Sequence, residues 1–201
     1  MANEREPAGA WSLLAGWTLA SLIGWAAGLA AGIVLTLVAG RLPGLNEDRV
    51  LAYATLAALG LTTGVAQGVV MRRYLPRPSR WVVATLAGYL LGLAVLAGGN
   101  AAGLWSAGLW DDLLLLGFVG AAIGACQWWI LRRHYRRAGL WVPATAAGFL
   151  CFLWLVADPA HTLSALILRG AILGVLAAVL PGVVLVWLVR QPMPPVSRGV
   201  V

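Results

Sequence analysis

Six apolar segments of about membrane-spanning length leave this chain few ways to fold. They run over roughly 12–39, 50–71, 81–104, 112–131, 141–157 and 164–189. About 20 predominantly apolar residues cross the hydrocarbon core of a bilayer as a helix. The 201 residues are 61% hydrophobic and only 10% charged, where a soluble domain carries about a quarter charged residues. The chain therefore reads as an all-α, six-span transmembrane bundle, a single membrane domain over 1–201 with short polar tails at 1–10 and 191–201. The N-terminal residues lack a positive n-region and a small-residue cleavage site, so the first segment is expected to be a retained span.

The charges set an orientation. All fourteen basic residues are Arg, and the net charge is +7. Arg5, Arg72, Arg73, Arg77, Arg80, Arg132, Arg133, Arg136, Arg137, Arg190 and Arg198 fall on one side of a six-span topology. Arg41, Arg49 and Arg169 fall on the other. Such a bias places the richer side in the cytoplasm. The expectation is a bacterial cytoplasmic (inner) membrane protein with both termini inside. Arginines placed beside spans argue against a nucleic-acid partner. The expected partners are membrane lipids, with anionic head groups on the two Arg loops (Arg72, Arg73, Arg77, Arg80; Arg132, Arg133, Arg136, Arg137), and then a membrane protein. Each Arg near an anionic surface contributes about 1 kcal/mol.

The acids sit at the other side, before spans two, four and six: Asn46-Glu47-Asp48, Asp111-Asp112 and Asp158-Pro159. They are expected to cap helix N-termini and complement the dipole. A cation-concentrating ring is the alternative. Trp17, Trp81 and Trp141 open spans on the inner side, Trp128, Trp129 and Trp187 close them there, and Trp105 and Trp110 lie near the outer surface. Aromatic belts at the two interfaces account for them. Trp25 and Trp154 lie deeper and are expected to fill core gaps or face lipid.

The chain repeats itself. Gly60, Gly64, Gln67, Arg72, Arg73, Trp81, Thr85 and Gly88 recur 60 residues later as Gly120, Gly124, Gln127, Arg132, Arg133, Trp141, Thr145 and Gly148. Trp17, Ser21, Gly24, Trp25 and Gly28 match Trp81, Thr85, Gly88, Tyr89 and Gly92 at an offset of 64. Gly170, Ala171 and Gly174 match Gly120, Ala121 and Gly124 at an offset of 50, with Ala177 in the place of the Gln. A fixed period marks a reused supersecondary unit. The expected architecture is three tandem two-helix hairpins with pseudo-threefold symmetry about the membrane normal, span six closing on span one.

Within each hairpin the polar and small residues mirror about the loop. Gly60 reflects onto Gly92, Gly64 onto Gly88 and Gln67 onto Thr85 about Pro76; Gly124 reflects onto Gly148 and Gln127 onto Thr145 about Arg136. The pattern predicts helix-packing polar pairs Gln67–Thr85 and Gln127–Thr145. It also predicts a small-residue interface of Gly60, Gly64, Gly88, Gly92, Gly120, Gly124, Gly148, Gly170 and Gly174, since small residues let helices approach closely in lipid. An amide left unpaired there is costly. Arg169 is the one candidate intramembrane charge, with interfacial snorkelling as the alternative. Pro181-Gly182 should kink span six.

The stretch QWWILRRHYRRAGLWVPATAAG, and its weaker copy at Gln67–Gly88, resembles uncharacterised bacterial multi-pass membrane proteins with repeated QWxxLRR…WVxA(S/T)xxG hairpins. The resemblance implies a membrane location and repeated hairpins, and no catalytic or binding residue. Cys126 and Cys151 read as small packing residues, and His134 and His161 have no second ligand at metal spacing. No GxSxG, HExxH or P-loop is present, so no enzyme, cofactor or metal is expected. The sequence favours an accessory or scaffold subunit or a lipid-interacting module. A small transporter or channel along the pseudo-threefold axis, with Gln67, Gln127 and Arg169 facing one cavity, is the alternative.

Overall fold

A computed structural model describes residues 9–39, 41, 47–104, 108–153 and 162–191. Arg5, Arg198, Asn46, Trp105, Trp154, Asp158-Pro159 and His161 lie outside the described residues, as do the side chains of Glu47, Asp48 and Arg49. The helices are α1 (Ala10–Ala39), α2 (Glu47–Met71), α3 (Pro78–Ala101), α4 (Leu109–Leu131), α5 (Trp141–Leu150) and α6 (Leu163–Val189), with a 3₁₀ turn over Ala138–Leu140 before α5. Among the described residues there is no strand. Five helices are long and apolar enough to cross a membrane, and Ala138–Leu150 is a shorter apolar helix. The protein is accordingly an all-helical integral membrane protein.

The helix ends follow from local chemistry. Pro78 sits in the first turn of α3, where its missing N–H costs nothing. Thr162 caps α6 by accepting the Ala165 N–H at 3.2 Å. Asp111 and Asp112 lie inside the first turn of α4, whose cap is Gly108. They therefore act on the dipole and do not fill the cap expected for them. Pro181 stands inside α6 and leaves the Ala177 carbonyl without its helical donor.

Each helix packs on the next in sequence, and α6 also packs on α1, so the six close into a ring. The start of α1, the ends of α2, α4 and α6, and the starts of α3 and α5 meet at one end in a single cluster that includes Leu13, Met71, Leu131 and Leu185. The outside is apolar: Ile23, Val83, Leu114 and Val183 are each more than half exposed. The inside holds the polar side chains: Ser21, Thr63, Gln67, Thr85, Gln127 and Thr145 are all buried. Water would penalise this arrangement, whereas hydrocarbon favours it.

Glycines set how closely the ring closes. A Cβ on Gly24 would lie 2.6 Å from the Thr63 Cα, one on Gly88 2.5 Å from the Ile123 Cα, and one on Gly148 2.6 Å from the Ala177 carbonyl oxygen. The glycines do not face glycines, as the mirror predicts. Gly60 faces Leu86 and Tyr89, Gly64 faces Val82 and Thr85, Gly92 faces Val119, Gly120 faces Ala146 and Phe149, and Gly124 faces Val142 and Thr145. Equal depth in a hairpin brings two positions near each other, but knobs fill holes only when a larger residue meets a smaller one. Gly170 does not take the interface place expected of it, because among the described residues a Cβ there meets nothing within 4 Å. Gly24, Gly28 and Gly32 form a further close face of α1 against Thr63, Leu59 and Thr55.

Candidate functional site

The buried polar residues converge on the ring's axis. Trp17, Trp81 and Trp141, from the first turns of α3 and α5 and the second turn of α1, are all but fully buried there. Their rings meet edge to face at centroid distances of 5.5–5.8 Å. Such pairs contribute about 0.5–1.5 kcal/mol beyond area burial. These three tryptophans are thus core residues and not the interfacial belt expected of them. Belt positions fit Trp129 and Trp110, 52% and 76% exposed.

One turn further along each helix stand Ser21, Thr85 and Thr145. Thr85 Oγ1 and Thr145 Oγ1 donate to the carbonyls of Trp81 and Trp141, each at 2.9 Å. The glutamines tie neighbouring helices together. Gln67 Nε2 donates to Ser21 Oγ at 3.0 Å, and Gln67 Oε1 accepts from Trp81 Nε1 at 3.2 Å. Gln127 Nε2 donates to Thr85 Oγ1 at 2.9 Å and to Gln67 Oε1 at 3.5 Å. Gln127 Oε1 accepts from Trp141 Nε1 at 2.8 Å. The predicted pairs Gln67–Thr85 and Gln127–Thr145 do not form. Each carbonyl turns to the Trp of the following helix and each amide to the hydroxyl of the preceding one, so one side chain bonds to both neighbours.

The stretch expected to be a third copy departs from the other two. Gly174 meets Leu22 and Trp25 as Gly60 meets Leu86 and Tyr89, and as Gly120 meets Ala146 and Phe149. Counting on from Gly174, Leu185 falls where Met71 and Leu131 fall, and all three are fully buried. This register differs from the offset of 50 suggested by Gly170 and Gly174, and it brings Pro181, not Ala177, to the glutamine place. Proline offers no amide, and among the described residues Trp17 Nε1 has no hydrogen-bond partner.

A cavity of about 30 Å³ lies between these layers, lined by Trp17, Ser21, Gln67, Gln127, Thr145 and Pro181, among others. A space of this size holds about one or two waters. The tryptophan cluster closes it at the arginine end. At the other end Trp25 donates to Tyr89 Oη at 3.2 Å, Tyr89 meets Phe149 edge to face at 6.0 Å, and Trp25 meets Phe152 at 5.6 Å. Gln67 and Gln127 line this cavity, while Arg169, partly buried in the second turn of α6, does not. Among the described residues no carboxylate, imidazole or thiol lines it. The polar lining is made of hydroxyls, two amides and indole N–H groups, which donate and accept hydrogen bonds. Among the described residues no group of three metal-ligating side chains comes together.

The charged surface lies at the closed end. Arg72, Arg73, Arg77, Arg80, Arg132, Arg133, Arg136 and Arg137 are all exposed. The Arg132 guanidinium lies 3.4 Å from the Trp129 ring centroid, and that of Arg137 lies 5.9 Å from Trp187. Arg137 itself adopts a left-handed φ of 58°, which turns the chain into the 3₁₀ entry to α5. Tyr135 Oη donates to the Tyr74 carbonyl at 3.3 Å and links the two Arg loops. Burial, and then the neighbouring Tyr74, push its phenol up to about 12, so it stays a neutral donor.

The polar axis was half visible in the sequence: Trp-x₃-Ser/Thr stands at Trp17, Trp81 and Trp141, and an i, i+4 spacing puts both residues on one helix face. Comparison with protein-family models, with curated proteins and with solved structures finds no match to this chain.

Proposed function

We propose that the protein is a non-catalytic membrane scaffold, an accessory subunit that engages anionic lipid through its arginine rim. The observation that carries this reading is the division of its polar groups. Gln67 and Gln127 bond to Ser21, Thr85, Trp81 and Trp141 around the axis, while the arginines are exposed and neither Arg loop contains an acid. In this reading the chain is three tandem hairpins about a pseudo-threefold axis along the membrane normal. The mutual contact of Trp17, Trp81 and Trp141 supports that. The arginine end faces the bacterial cytoplasm by the positive-inside rule, with both termini there. Passage of a small solute along the axis is the second reading, favoured by Gln67 and Gln127 lining the cavity.

Gentle purification followed by mass spectrometry of what is retained separates the two. The scaffold reading expects anionic lipid or a membrane-protein partner to come with the chain, and no ion or solute flux in proteoliposomes. A flux abolished by Gln67→Leu together with Gln127→Leu would establish the second reading in its place.

A further inference from the structure

We propose that the groove between α3 and α4 at the arginine end is a binding site for one anionic phospholipid. Its phosphate would sit on Arg77, Arg80 and Arg133 and one acyl chain would lie along the helices. The inference rests on the reading of the arginine rim as lipid-facing, and it names the place and the ligand.

The groove has a volume of about 970 Å³, far larger than the axial cavity. Two chemistries adjoin in it. Arg77 and Arg80 come from the first Arg loop and the start of α3, and Arg133 comes from the second loop, so the mouth carries charge from two separate segments. No acidic residue occurs anywhere in residues 49–110 or 113–157, so nothing nearby in sequence neutralises that charge. Below the mouth the walls are small and apolar: Val83, Ala84 and Ala87 on α3, Ala125 and Cys126 on α4. Alanines at these places leave a trough where larger residues would close it. From Arg80 to Ala87 the helix rises about 10 Å at 1.5 Å per residue, which gives the upper part of an acyl chain a wall to follow. Trp128 and Trp129 flank the trough beside the arginines, a pairing of indole and basic groups suited to a head-group region. A soluble anion would use the arginines and leave the trough; a passing apolar helix would use the trough and leave the arginines. An anionic amphiphile uses both, as basic pockets between spans on the cytoplasmic side do.

The test uses the full-length protein, native mass spectrometry and palmitoyl-oleoyl phosphatidylglycerol titrated against phosphatidylcholine of the same chains. Removing three phosphate contacts in Arg77→Gln/Arg80→Gln/Arg133→Gln should lower phosphatidylglycerol affinity on the order of 100-fold. The control Arg72→Gln/Arg73→Gln/Arg136→Gln removes the same charge outside the groove and should change it by only about threefold, since solvent-exposed charges away from the site are screened. Ala87→Phe alters no charge, fills the trough from an exposed position, and should also lower retention of phosphatidylglycerol. Melting temperatures like that of the wild type establish that each variant is folded.

Equal losses in the two triple variants would overturn the groove and leave a diffuse basic rim. No loss in any variant would overturn both the groove and the lipid-facing rim. A dimer in the wild type that Ala87→Phe dissociates would make the groove a contact between copies and also overturn the proposal.

Discussion

Trp81→Ala is expected to lower the stability of the folded bundle by about 3 kcal/mol, read as a drop in melting temperature in mild detergent. Truncating a buried Trp in a water-soluble core costs about 3–5 kcal/mol, a transfer term plus a cavity term. Between helices in lipid the transfer term nearly vanishes, because lipid tails are as apolar as the core. The cavity and the lost contacts remain, which argues for the low end. Trp81 is fully buried, meets both Trp17 and Trp141 at 5.8 Å, and donates to Gln67. Its removal also leaves one lone pair of a buried amide without its donor. Trp129→Ala provides the contrast. That ring is 52% exposed, and its loss should stay within about 0.5 kcal/mol. Equal effects at the two sites would return Trp81 to the interfacial belt.

Gly88→Ala should destabilise by about 2 kcal/mol, and Gly170→Ala should not destabilise at all. An alanine at 88 brings its Cβ to 2.5 Å from the Ile123 Cα, so α3 and α4 must part. Overpacking of this kind costs about 1–3 kcal/mol, against which the higher helix propensity of Ala returns up to about 1 kcal/mol. At 170 nothing lies within 4 Å, so the propensity gain stands alone and the sign reverses. Both glycines belong to the same sequence pattern, and thermal melts of the two variants side by side decide whether the pattern or the contact determines the effect. A shift of the same sign and size in both would show that the close approach of α3 to α4 is not what Gly88 provides.

These two sites also mark how far the sequence could be read. The apolar runs and the Arg clusters predicted a multi-pass helical membrane protein, because lipid leaves so few ways to satisfy a backbone. The repeat pointed to Gln67 and Gln127 as buried, bonded side chains. It misjudged their partners, because equal depth along a hairpin does not say which way an amide turns. Trp17, Trp81 and Trp141 were misread for a related reason. A Trp near the end of a span fits an interfacial belt and an axial plug equally well, and only a partner from another helix distinguishes them. The register expected for a third copy failed on Gly170, a glycine that fits the pattern and meets nothing among the described residues. The contacts of Gly174 with Leu22 and Trp25 correct it, and with it the identity of the residue opposite Trp17. The α3–α4 groove was hidden altogether, since Ala84, Ala87 and Ala125 read as ordinary small residues until the two helices lie side by side.

The most direct test of the closed axis that the scaffold proposal requires is the accessibility of Ser21. Ser21 is 1% exposed and accepts from Gln67 in the layer next to the tryptophans. With Cys126 and Cys151 replaced by Ala, Ser21→Cys places a near-isosteric thiol on the axis, and Arg136→Cys places one on the exposed loop as a positive control. A small water-soluble methanethiosulfonate added to either side of intact membranes should modify Arg136→Cys from its own side and leave Ser21→Cys unmodified from both. Modification of Ser21→Cys from both sides, at a rate near that of the control, would contradict the closed axis and establish an aqueous pathway through the ring.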